Sequence, residues 1–157
     1  MRSTPPDRSP VTLLEEIFPA ETNPYGTAFG GCILAMMDRA AGLAASRWAH
    51  GHFVTASMDA IRFHAPVRKG EIAEVVATVV YTSAHTCGVK VRVSAVDKSD
   101  WKPRPCCQGT ILMVAIGPEG RPEPVPTFTP DGEGEQAEWD EVEGVHRRML
   151  QDRGARP

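Results

Sequence analysis

The stretch "FGGCILAMMDRAAGLAASRWA", residues 29–49, contains no proline, and alanine, leucine and methionine dominate it. These are good helix formers, so the composition predicts an α-helix of five or six turns from Phe29 to Ala49. Its only clearly polar side chains are Asp38, Arg39, Ser46 and Arg47. A helix apolar almost all round is buried on most of its sides. Whatever surrounds it must therefore come from the rest of the chain.

Four strand-like segments follow. "HFVTASMDAIRF" (52–63) sets Val54, Ala56, Met58 and Ala60 against Thr55, Ser57 and Asp59, and "IAEVVATVVYTS" (72–83) is rich in β-branched residues. "GVKVRVSAV" (88–96) puts Val89, Val91, Val93 and Ala95 on one face, and "QGTILMVAI" (108–116) completes the set. "HAPVRKGE" (64–71) separates the first two strands, and "DKSDWKPRPC" (97–106) is a longer excursion in the last hairpin. Before the helix, "VTLLEEIF" (11–18) is a short strand or helix closed by Pro19, and "PAETNPYGTA" is a loop. One long helix followed by consecutive strands implies an α+β arrangement, an antiparallel sheet with the helix against one face.

The flanks read differently. Residues 1–10 are expected as a disordered lead, 11–117 as one folded domain, and 118–157 as a Pro/Gly/Glu-rich tail. Within that tail Trp139, Val142, Val145 and Met149 recur at roughly helical spacing. A short amphipathic helix there and a frayed acidic tail are both open readings.

At 157 residues the chain suits a single core. A formal net charge of -3 supplies no basic field for nucleic acid or an anionic membrane, so neither is an expected partner. "MRSTPPDRSP" has no apolar run behind it, and a cytoplasmic location is expected. Cys32, Cys87, Cys106 and Cys107 form no C-x-x-C pair and read as reduced thiols. The five histidines show no metal spacing, and no metal is expected.

Asp38 is the anomaly. Its helical neighbours Leu34, Ala35, Ala41 and Gly42 offer no partner, and Arg39 points about 100° away. A carboxylate there must find a partner on another element, hold a proton more tightly, or face a water-filled cleft. A solvated stripe is the bland alternative. Ahead of it, Gly30 and Gly31 open the helix where N–H groups lack intrahelical acceptors and the dipole is positive. Such a terminus suits an oxyanion. No G-x-x-x-x-G-K-[ST] or G-x-G-x-x-G nucleotide loop is present. An anion cradle and a carboxylate on one helix together suit acyl transfer.

"TNPYGTAFGGCILAMMDRAAGLAASRWAHG" followed by "VTASMDAIRFHAPVRKGEIAEVVATVVYTS" resembles the hotdog-fold acyl-CoA thioesterases of the bacterial YciA and eukaryotic brain acyl-CoA hydrolase type, over residues 11–117. The resemblance implies a hotdog fold, an antiparallel β-sheet wrapped around a long central α-helix. It implies homodimers with continuous sheets that assemble into hexamers, as trimers of dimers. Asp38 then matches the catalytic aspartate and Asn23 the catalytic asparagine, meeting from opposite subunits. Gly31, beside Gly30, matches the glycine whose amide polarises the thioester carbonyl. Thr55 matches a position near the pantetheine tunnel. Ser83, His85 and Thr86 match the coenzyme A turn, while Arg62, Arg68 and Lys69 offer charge for its phosphates. His52 replaces a basic residue common in the family.

The expected reaction is hydrolysis of an acyl-CoA thioester, with Asp38 as general base or as nucleophile and coenzyme A as part of the substrate, without a further cofactor. Two alternatives stand beside it. One is a hotdog dehydratase, although "GHFVTASM" lacks the proline-glycine of that loop. The other is a non-catalytic acyl-CoA-binding module.

Overall fold

The computed structural model describes residues 5–154; the first four residues of the lead and the last three of the tail lie outside them. The elements are β1 (Val11–Glu16), α1 (Gly30–Ala49), β2 (His52–Phe63), β3 (Ile72–Thr82), β4 (Thr86–Val96), β5 (Pro103–Ile116) and α2 (Gly132–Gly154). The five strands form one antiparallel sheet in the order β1-β3-β4-β5-β2. The segment 11–18, open between strand and helix from its sequence, is a strand over its first six residues. β2, first in sequence after the helix, pairs only with β5 and ends at an edge of the sheet.

Alternation decides which face is which. Val75, Ala77 and Val79 of β3, with Val89, Val91 and Val93 of β4, point inward and are essentially fully buried. Against them α1 lays Ile33, Met36, Met37, Ala40, Ala44 and Trp48. α1 stops where His50 takes a left-handed conformation (φ 50°) and its N–H closes on the Ser46 carbonyl at 2.7 Å. Gly109 admits this packing, because a Cβ there would sit 2.2 Å from Ile61 Cδ1 and 3.3 Å from Met37 Cε.

Several expectations need correction. β5 begins at Pro103, not at Gln108. Prolines 103 and 105 are tolerated because β2 pairs with β5 only as far as Cys107, so one side of that stretch has no strand neighbour. Of the two open readings of the tail the structure has the helix, longer than expected at 23 residues and lying on the sheet's outer face, with Val142 and Val145 buried against Val80, Tyr81 and Leu112. Ahead of it the proline-rich segment is pinned, with Trp48 Nε1 donating to the Pro126 carbonyl at 3.1 Å and Phe128 N to Thr82 Oγ1 at 2.8 Å. The described part of the lead is anchored too. Arg8 donates to the Val79 carbonyl at 2.7 Å, pairs with Glu135 at 2.5 Å and lies over the Phe128 ring.

Candidate active site

α1 carries two clusters. At its N-terminal end the loop 22–28 is wound around Asn23. Its side-chain oxygen accepts from the N–H of Tyr25 (3.0 Å) and Thr27 (3.3 Å), and its amide nitrogen donates to Thr27 Oγ1 at 2.9 Å. One amide N–H is then left over. The Lys69 N–H donates to the Gly26 carbonyl, and Thr27 bridges to Arg68, so both cations flank this loop. Arg68 is 3.8 Å from Glu71, while Lys69 has no acidic partner among the described residues. The Phe29 N–H is taken by the Glu21 carbonyl at 3.2 Å. Those of Gly30 and Gly31, at the positive end of the helix, find no acceptor among the described residues. An added Cβ at either glycine would meet only a phenylalanine ring, at 3.5 Å or 3.7 Å. Packing among the described residues therefore does not demand glycine, and the main chain at both positions is exposed.

Two turns on, Asp38 is half-buried rather than buried. The partner that its own helix could not supply is Thr55 on β2, whose hydroxyl donates to Asp38 Oδ1 in a short hydrogen bond. Thr55 also reaches Met113 Sδ at 3.6 Å, and Met113 Cε closes over Gly42, one turn beyond Asp38. Arg39 is drawn the other way, to Glu15 of β1 at 2.8 Å. Among the described residues Asp38 has no cation at all. Its carboxylate is held by one hydroxyl, with the second oxygen free to act on something else.

Neither Cys32, on the same helix, nor Cys107 competes with it. Burial raises the Cys32 thiol above its ordinary range, with Glu21 and Glu15 adding to the effect. The Cys107 thiol, also buried, is pushed up to about 11. Neither is a thiolate near neutral pH.

The other residues singled out from the sequence are dispersed. Ser83 and His85 lie on the β3–β4 turn, partly and largely exposed, but Thr86 is buried at 5 % and offers no contact surface. Arg62 stands opposite Gln108 on the face of the sheet away from α1. Sequence reasoning did not foresee the bond between Thr55 and Asp38. The β2 alternation hid it: Thr55 reads on one face with Ser57 and Asp59, whereas a register shift between Thr55 and Ser57 leaves Thr55 on the α1 side, opposite Met113.

Residues 25–101 match the family model described as Thioesterase superfamily. An acyl-CoA hydrolase from Staphylococcus aureus, solved in complex with butyryl coenzyme A and coenzyme A, is 30% identical over 94% of this chain and 91% of that one, with a TM-score of 0.82. The chain belongs to the thioesterase superfamily. Within that superfamily it is also similar to an apo-hexameric acyl-CoA thioesterase, at 29% identity and a TM-score of 0.85, over 99% of this chain and 100% of the other. The cytosolic acyl coenzyme A thioester hydrolase of Mus musculus is 32% identical over 90% of this chain, which spans 38% of the mouse protein. The sheet around α1 is the hotdog fold of this superfamily. The Staphylococcus aureus enzyme has also been solved with an asparagine, an aspartate and a threonine each replaced by alanine.

Proposed function

We propose that this thioesterase-superfamily chain hydrolyses acyl-CoA, releasing a carboxylic acid and free coenzyme A, in a homodimer whose two sites each draw on both protomers. The carrying observation is Asp38: a cation-free carboxylate, aimed by Thr55, on the helix whose glycine amides are unclaimed. In the Staphylococcus aureus enzyme the altered asparagine lies fifteen residues before the altered aspartate, and the altered threonine seventeen after it. Asn23, Asp38 and Thr55 have the same spacing, which supports assigning them to one site.

Helix geometry supports the shared site. Gly31 and Asp38 are about 10 Å apart along the axis at 1.5 Å per residue. A reacting carbonyl needs both an oxyanion donor and a nucleophile or base at roughly 3 Å. No hydrogen bond joins Asn23 to Asp38 within the protomer either. Two antiparallel copies of α1 bring the Gly31 end of one beside the Asp38 of the other. The free edge of β2 and the half-exposed apolar side chains of Phe29, Leu43, Val54 and Phe63 suit that pairing. Further assembly into a trimer of dimers is part of the same proposal.

In the general-base form, Asp38 takes a proton from the attacking water while the Gly31 N–H holds the charge developing on the carbonyl oxygen. Asn23 orients the water with its remaining N–H. The C–S bond breaks and the proton passes to the departing thiolate. In the nucleophile form, Asp38 attacks the carbonyl and breaks the C–S bond, expelling the coenzyme A thiolate, and water then splits the transient anhydride into the carboxylic acid and free Asp38. Arg68 and Lys69, beside the Asn23 loop, are placed to meet coenzyme A phosphates, with Ser83 and His85 as further contacts. Coenzyme A enters as substrate, and no separate cofactor takes part. Among the described residues no helix is long and apolar enough to cross a membrane; a cytoplasmic location is proposed.

Incubation with a panel of acyl-CoAs and a thiol reagent tests the reading. Free coenzyme A should appear with the parent chain, and Asp38→Asn should lower kcat by about 10²–10⁴-fold with assembly unchanged. Near-normal turnover in that variant would end the assignment. An ultraviolet-absorbing enoyl product would indicate the dehydratase instead, and binding without turnover the acyl-CoA-binding module.

A further inference from the structure

On the sheet face opposite α1, strand register builds two polar rows. Asp59, Thr110 and Lys90 stand abreast on β2, β5 and β4, and beside them stand Arg62, Gln108 and Arg92. The second row depends on an irregularity in β2. Pairing slips between Asp59 and Arg62, and Ala60 takes a left-handed φ of 51°. Ile61 turns inward onto Gly109, and the strand regains the outer face at Arg62. A non-glycine residue held there costs about 1–2 kcal/mol. The slip brings the Arg62 guanidinium into the same patch as Arg92.

α2 covers the neighbouring row but only reaches over this one. Glu141 meets Lys90 at 2.8 Å, and Glu138 meets Arg92 at 3.2 Å. Beneath them is a cavity of about 140 Å³ lined by Arg62, Lys90, Arg92, Gln108, Thr110 and Glu141. That is more than a water needs and less than a drug-sized ligand fills.

The polar groups in it are not fully matched. Thr110 is only 2 % exposed and lines the cavity. Arg62 has no acid among the described residues, since Asp59 is instead 3.8 Å from Arg148 of α2. Three cations against the carboxylates of Glu138 and Glu141 leave one positive charge in excess. Two guanidinium forks, a primary amide and a hydroxyl around a small cavity suit a tetrahedral oxyanion.

We infer that this cavity is a phosphate-binding site, with Arg62 and Arg92 gripping the anion, Thr110 and Gln108 donating to it, and Glu141 releasing Lys90 as it arrives. It lies across the sheet from Asp38 and does not depend on the catalytic reading. Because Glu141 belongs to α2, an anion here competes directly with one of the ties that hold that helix down.

Calorimetric titration of the intact chain with inorganic phosphate tests this. Saturable binding is expected. Arg62→Gln and Arg92→Gln should each weaken it about tenfold or more. Glu141→Gln, which removes the competing carboxylate, should tighten it several-fold, a gain that a damaged fold would not produce. Repeating the titration with coenzyme A present separates the sources. Displacement of phosphate assigns the site to a coenzyme A phosphate, and co-occupancy assigns it to free phosphate. Absence of saturable binding at millimolar phosphate overturns the site, as does binding unchanged by both arginine substitutions or affinity unmoved by Glu141→Gln. Failure of acyl-CoA hydrolysis would leave these outcomes as they are.

Discussion

α1 and α2 cover opposite faces of one sheet and are held by different physics. α1 is packed into the main core, with Met36, Met37, Ala40 and Ala45 at 1 % exposure or less. α2 keeps only Val142, Val145 and His146 buried. Trp139 and Met149 pack partly buried beside them, and charge adds the pairs Lys90 to Glu141, Arg92 to Glu138 and Arg8 to Glu135. Surface pairs of this kind contribute about 0–1 kcal/mol each and weaken with salt. α2 also buries the Trp139 indole N–H with no acceptor among the described residues. The contrast shows where to look for chemistry. In a helix held by burial, a lone polar side chain is an exception that needs a reason, and Asp38 has one in Thr55. In a helix held by a narrow stripe, polar side chains are the fastening.

Thr55→Val breaks the α1 side of this contrast most sharply after Asp38 itself. The shape is kept and the hydrogen bond to Asp38 is lost. If the carboxylate depends on that bond for its aim, kcat should fall by about 10²-fold, within the range typical of general-base assistance. Thermal stability should change little, because Thr55 is largely exposed. Steady-state kinetics beside a melting curve reads both. Unchanged kcat would mean that Asp38 is oriented by something else.

Gly88→Ala does the corresponding damage to α2. A Cβ at Gly88 would lie 2.3 Å from Val142 Cγ1 and 3.1 Å from the Tyr81 side chain, so the helix must shift. Overpacking of this kind costs about 1–3 kcal/mol. The expected result is a lower melting temperature and faster proteolysis within 132–154, with the inner face undisturbed. A variant as stable as the parent would show that α2 can slide without loss.

These two helices were also unequally legible in the sequence. α1 and β4 show their period plainly, because Val89, Val91 and Val93 all face the α1 side, whereas β2 reads as a strand but slips twice in register. Asp38 was visible as an anomaly, but its partner lies seventeen residues on, across a fold that helical spacing does not describe. α2 was half-visible, since Trp139, Val142, Val145 and Met149 show helical spacing, but its docking face was hidden for a different reason. Its docking face is built from Ala56, Val80, Tyr81 and Leu112, and pairing is irregular at two of those places, between Thr55 and Ser57 and between Val79 and Tyr81. Strict alternation does not reveal an apolar patch made by bulges. The β4 residues on that face include Lys90 and Arg92, which give no apolar signal. With no visible surface to dock on, a short amphipathic helix and a frayed acidic tail stayed equally open readings.

The smallest effect, and the most specific to α2, is its pH dependence. His146 is buried, its Nδ1 lies 2.9 Å from the Tyr81 hydroxyl, and the two rings are 5.6 Å apart. Burial, with help from Arg153 and against the pull of Glu143, lowers its pKa below the ordinary 6.5. The unfolded chain therefore binds this proton at a higher pH than the folded chain does. Between the two pKa values unfolding takes up a proton, so His146 costs stability as pH falls below the ordinary value. Melting temperatures measured from pH 7.5 down to 5.5 should decline for the parent chain, and less steeply for His146→Gln, which keeps a polar group near Tyr81 without titrating. Carboxylates shared by both chains cancel in that difference. Identical slopes would place the acid sensitivity elsewhere, and α2 would then be fastened by its apolar stripe and ion pairs alone.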